Sequence, residues 1–280
     1  MSDPPQPQPA LPVVVARPVE HTGVIRGPSD MDMALVRPHE AALDLLVILA
    51  ALIVLPYLPP LVASVAPDEA LVPEVGPAVI VHKWCEAGLA SLLVAYFVLR
   101  HRLRPATFGL RTDRLGAQVL WGLAALGAMY VVLLLSVAVI VPLCHLFPVL
   151  EEDAMRRVEF AQALPTESLP ATIALLLAVA IHEEALFRGL LLPYVRRVLG
   201  SWWWAGLCST LLFAALHAPE QGLLAAGVQI LGIGVVLTVF FIVSRSLLSV
   251  ALAHLLFNFL QFQFMRLLPE MQEWLEAFEG

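Results

Sequence analysis

Seven apolar runs, each close to the roughly 20 residues that span a bilayer as a helix, follow one another along the chain. They cover 43–65, 77–99, 115–141, 169–195, 202–217, 222–243 and 246–266. In hydrocarbon every backbone N–H and C=O needs a partner inside the protein, so runs of this length can cross only as helices. The pattern predicts an all-α, polytopic membrane helix bundle with about seven transmembrane helices. Composition agrees, because 60% of the 280 residues are hydrophobic, 14% are charged and the mean hydropathy is +0.84. Soluble domains carry about 25% charged residues, which excludes a water-soluble fold.

The runs also divide the chain. Residues 1–40 hold eight of the 22 prolines without a sustained apolar period, which predicts a disordered, proline-rich cytoplasmic tail. That tail lacks the basic start and short apolar core of a cleavable signal peptide, so the first apolar run is expected to stay as a helix. Pro56, Pro59 and Pro60 are expected to kink or shorten it. Residues 41–105 form two N-terminal transmembrane helices, 106–267 the membrane core that holds the polar motifs, and 268–280 an acidic C-terminal tail.

Charge orients the bundle. Arg100, Arg102, Arg104, Arg111 and Arg114 fall between runs two and three, Arg196 and Arg197 between four and five, and Arg245 between six and seven. Asp68, Glu69, Glu74, Glu151, Glu152, Asp153, Glu159, Glu167 and Glu220 fall on the opposite side, with Lys83, Arg156, Arg157 and Arg266 against the trend. By the positive-inside rule the N-terminus is cytoplasmic and the C-terminus outside, in the cell (inner) membrane, with Trp202, Trp203 and Trp204 at an interfacial belt. Cys85, Cys144 and Cys208 are read as small buried hydrophobes.

Three polar stations interrupt the apolar runs. The first is Glu183-Glu184-x-x-x-Arg188, where Glu184 and Arg188 are four apart and can pair on one helix face. Glu183 points about 100° away and is free to face another helix. The second is Phe213-x-x-x-His217, followed at once by Ala218-Pro219, where the helix is expected to stop or bend. The third is His254-x-x-x-Asn258, again on one face. Each has a bland reading, respectively an interhelical ion-pair cluster, a capping histidine and a hydrogen-bond clamp. Depth argues for a joint one. At 1.5 Å per residue from the cytoplasmic ends, Glu183 lies about 20 Å deep, His217 about 24 Å, His254 about 13 Å and Asn258 about 20 Å. Helix tilt covers that spread, so all four can meet in the hydrocarbon layer.

A carboxylate, two histidines and an amide at that depth can activate a water for peptide hydrolysis. Either Glu183 is the general base, or Glu183, His217 and His254 hold a divalent metal such as zinc that acidifies the water. His254 and Asn258 can then stabilise the oxyanion. No serine or cysteine sits in a recognisable nucleophile setting, and His182-Glu-Glu-Ala-Leu186 lacks the second histidine of the zincin helix.

In order and on separate helices, the three motifs resemble those of the CAAX-protease and bacteriocin-processing (CPBP, or Abi) family of intramembrane endopeptidases, relatives of the type II CAAX prenyl endopeptidases. Phe187-Arg-Gly-Leu-Leu-Leu-Pro193 and Phe108-Gly-Leu-Arg111 are similar to that family too, so the resemblance spans roughly residues 106–264. It implies a water-activating role for Glu183 and His217, an oxyanion or ligand role for His254 and Asn258, and places Glu184 and Arg188 in the first motif. A family label of metalloprotease leaves a divalent metal open. No organic cofactor and no nucleic-acid partner are expected; the partners are the bilayer and a membrane-associated peptide or protein. A non-catalytic scaffold on the same fold is the alternative, and an ion-coupled transporter the weaker one, since no internal repeat supports it. Substrate identity and oligomeric state are not written in the sequence.

Overall fold

The computed structural model describes residues 33–55, 75–156 and 168–279. Most of the proline-rich tail, and Pro56, Pro59 and Pro60, lie outside the described residues. The principal helices are α1 (Pro38–Val54), α2 (Val75–Arg100), α3 (Leu115–Leu146), α4 (Leu169–Leu199), α5 (Trp202–Gln221), α6 (Leu223–Ser244) and α7 (Leu247–Glu279). There is no strand among the described residues. The fold is all-helical, as backbone pairing in lipid demands.

Five of these helices, α2, α3, α4, α6 and α7, are long and apolar enough among the described residues to cross a membrane. The described part of α1 is 17 residues, and the remainder of its expected span lies beyond Leu55. The α5 helix has 20 residues but opens on three tryptophans and closes on Ala218-Pro-Glu-Gln221, which dilutes its apolarity. It ends at Gln221, two residues past Pro219 and within a turn of the expected stop. The α7 helix continues to Glu279, through the stretch expected to be a tail.

The middle of the molecule is α4. It packs on α2 and α7 along its first half, and on α1 and α5 along its last two turns. The α3 helix lies outside it, against α6 and α7. Polar clamps set these contacts. Ser246 Oγ donates to Gln118 Oε1 at 2.5 Å and Ser249 Oγ to the Gln118 carbonyl at 2.8 Å, tying the starts of α3 and α7 together. Asp44, 3% exposed, holds Arg100 at 3.3 Å and His101 at 2.5 Å, which ties α1 to the end of α2. Between α2 and α3 a short 3-10 turn, Pro105–Phe108, buries Phe108 against Tyr194 at 6.3 Å between ring centres.

Candidate active site

Halfway along α4 three consecutive polar residues point to three neighbours, because each step on an α-helix turns about 100°. His182 turns to α2, Glu183 to α5 and α7, and Glu184 back along its own helix and to α7. The helix then loosens into a π segment, Ala185–Leu191, before resuming as Leu192–Leu199. Such single π turns are frequent at functional sites; here the segment holds Arg188.

Glu184 and Arg188 pair as the spacing demands, with Nη1 donating to Oε1 at 3.0 Å, and both are buried. The guanidinium also donates to the Gly234 carbonyl at 3.3 Å and lies 4.5 Å over the Phe213 ring, so it reaches α6 and α5 at once. Glu184 does more than offset this charge. The same Oε1 accepts from His254 Nδ1 at 2.8 Å, so the carboxylate fixes the orientation of the α7 imidazole.

On α5, His217 Nδ1 lies 2.7 Å from the Phe213 carbonyl. A carbonyl only accepts, so Nδ1 carries the proton and Nε2 is left with its lone pair when the ring is neutral. The two imidazoles face one carboxylate: His217 Nε2 lies 3.7 Å from Glu183 Oε1, and His254 Nε2 lies 3.8 Å from Glu183 Oε2. These gaps exceed a direct hydrogen bond, and Glu183 Oε2 is buried with no hydrogen-bond partner among the described residues. The three groups open on a cavity of about 230 Å³, lined also by Phe213, Phe257 and Asn258. Asn258 thus shares the cavity wall one turn beyond His254. All six residues singled out in the sequence converge: Glu183, His217, His254 and Asn258 line the cavity, while Glu184 and Arg188 sit buried behind them.

Residues 165–260 match the family model described as Type II CAAX prenyl endopeptidase Rce1-like. This stretch is an Rce1-like domain. It begins just before α4, ends within α7 and contains all three motifs, in agreement with the resemblance read from the sequence. Helices α1, α2 and α3, and Phe108–Arg111, lie outside it. No curated protein and no solved structure matches the chain. The family is one of membrane proteases, and the chain around the Rce1-like domain is a multi-pass integral membrane protein.

Beside the Rce1-like domain, α2 adds a polar cluster that the motifs did not reveal. Glu86, 1% exposed, lies 2.8 Å from His82 Nε2, 2.9 Å from Lys83 Nζ and 3.4 Å from His182 Nδ1. Lys83 reaches the wall of the same cavity. The signal was present in the sequence as His82-Lys83-x-x-Glu86, polar residues three and four apart inside an apolar run, the same rule that singled out Glu184 and Arg188.

The donor chemistry at Glu183 suits a divalent metal. Ligating histidines characteristically give their other ring N–H to a carboxylate or a backbone carbonyl, as His254 does to Glu184 and His217 to Phe213. Two imidazole nitrogens and a carboxylate are a common zinc set. As they stand, no three His, Cys, Asp or Glu groups among the described residues form a metal-holding group.

Proposed function

We propose that the chain is an intramembrane endopeptidase that hydrolyses membrane-associated peptides or proteins with a water activated by Glu183 and His217. One observation carries the reading: a half-buried carboxylate faces two oriented imidazoles across a cavity with room for water. A water on Glu183, also within reach of His217 Nε2, gives a proton to this pair as its oxygen attacks the scissile carbonyl. The resulting oxyanion is met by the Asn258 amide and by the His254 imidazole, whose orientation Glu184 fixes. Collapse breaks the C–N bond, and the proton held by the Glu183–His217 pair goes to the leaving amine. Glu184 and Arg188 act through His254 and Phe213 as positioning residues. The fuller topology belongs to the same proposal: α1 and α5 complete seven spans, with the N-terminus cytoplasmic.

The Glu183→Gln variant tests the role. It keeps the shape and removes the base, so cleavage of a membrane-anchored peptide library should fall by about 10²–10⁴-fold while thermal unfolding in detergent is unchanged. Wild-type turnover by this variant would refute the assignment.

The tethered Nδ1 atoms favour a second reading, in which Glu183, His217 and His254 hold a divalent metal. Bound, such an ion lowers the pKa of a coordinated water and polarises the carbonyl. Metal analysis of purified wild type and His217→Ala separates the two. Stoichiometric metal that is lost in the variant, with chelator-sensitive cleavage, selects the metal; chelator-resistant cleavage by metal-free protein selects direct activation.

A further inference from the structure

Three residues other than glycine among the described ones adopt a left-handed backbone, and all three are arginines: Arg102 (φ 51°), Arg114 (φ 50°) and Arg245 (φ 54°). An L side chain is disfavoured there, and glycine or asparagine is the usual occupant. Arg102 lies two residues beyond α2, Arg114 is the residue before α3, and Arg245 follows α6, so all mark helix ends on the arginine-rich face. Strained positions persist where the rest of the structure holds them for use.

The loop from His101 to Arg114 is held firmly enough to present charge. Phe108 is fully buried, the Leu247 N–H donates to the Gly109 carbonyl at 2.9 Å, and Gln118 Nε2 donates to the Asp113 carbonyl at 2.5 Å. Gly109 is required at φ 82°, since a Cβ would sit 2.6 Å from the Phe241 ring. The loop carries four arginines and one acid, Asp113. Arg111 holds that acid at 2.6 Å and keeps its carboxyl below the ordinary range, so this charge is already used. Arg102, Arg104 and Arg114 are exposed, and their side chains make no hydrogen bond or ion pair among the described residues. On the same face Trp203 and Trp204 are 87% and 60% exposed, and Trp202 is stacked between Arg196 at 4.4 Å and Arg245 at 4.2 Å. Tryptophans of this kind sit at headgroup level, which places the exposed arginines beside lipid phosphate.

We propose that Arg102, Arg104 and Arg114 form a preorganised binding surface for anionic phospholipid headgroups. Charge, rigidity and the aromatic belt together select a lipid phosphate over a soluble anion. The site lies on the loop outside the Rce1-like domain and stands or falls independently of the chemistry at Glu183.

The test uses the full-length protein in nanodiscs containing brominated phosphatidylglycerol or brominated phosphatidylcholine, with tryptophan quenching giving the relative binding constant of the two lipids. Wild type is expected to favour phosphatidylglycerol, with the preference weakening as salt rises. In Arg102→Gly/Arg114→Gly, where glycine removes the backbone strain and the fold should hold, the preference should fall about fivefold for each arginine removed. Arg104→Gln, on extended backbone, should lose a similar factor, and Arg102→Lys/Arg114→Lys should retain the preference. Equal binding of both lipids by wild type, or an undiminished preference in the glycine and glutamine variants, would overturn the proposal. So would loss of the preference on adding millimolar inorganic phosphate, which would assign the site to a free anion.

Discussion

Helices α3 and α4 have nearly the same length, 32 and 31 residues, and both are apolar enough to cross a membrane, yet they occupy opposite places. On α3, Leu120, Leu134 and Leu135 are each more than 60% exposed, as expected of side chains turned to lipid. On α4, Arg188 and Tyr194 are fully buried and Glu184 is 1% exposed. In water the more apolar helix would be the inner one. In a bilayer the solvent is itself apolar, so leucine gains nothing by turning inward, while a charge placed against lipid costs several kcal/mol unless it finds a partner. Polarity therefore marks the interior here. Of these two helices, the one that departs further from an apolar pattern carries the candidate chemistry.

That contrast can be broken where α4 is most polar. Arg188→Ala leaves Glu184 buried with its main partner gone, and should destabilise the protein by about 3–5 kcal/mol, read as a large fall in folded yield and in the thermal midpoint. An unchanged midpoint would mean that the pair is not what holds α4 at the centre. On α3 the sensitive position is expected to be the close approach to α7 rather than the leucines. A Cβ on Gly122 would lie 2.8 Å from the Ser249 carbonyl oxygen, so Gly122→Leu should cost about 1–3 kcal/mol through forced separation of the helices. Leu134→Ala should shift stability by no more than about 0.5 kcal/mol, because its side chain, 69% exposed, has little protein to lose. A Leu134 effect as large as that at Gly122 would show that this face of α3 is covered by protein.

Much of this was legible before any coordinates, for a physical reason. Twenty-residue apolar runs leave helix as the sole outcome, and helical spacing alone pairs Glu184 with Arg188 and sends Glu183 elsewhere. Depth counting brought His217 and His254 to the same layer, and their nitrogens lie within 4 Å of Glu183. What spacing cannot show is a partner in another helix. The bond from His254 to Glu184, 70 residues apart in sequence, and the turn of His182 towards Glu86 depend on how α2 and α7 dock on α4. The π segment at Ala185–Leu191 was also invisible, since one extra residue in a turn leaves an apolar pattern unchanged.

The most direct measurement is a single turnover of purified wild-type protein on a membrane-anchored peptide in ¹⁸O-enriched water, read by mass spectrometry beside Glu183→Gln. Water activated by Glu183 should place one ¹⁸O in the new carboxyl terminus on the first turnover, with no measurable product from the variant. A first-turnover product that lacks the label, or labelled product from the variant at the wild-type rate, would contradict it.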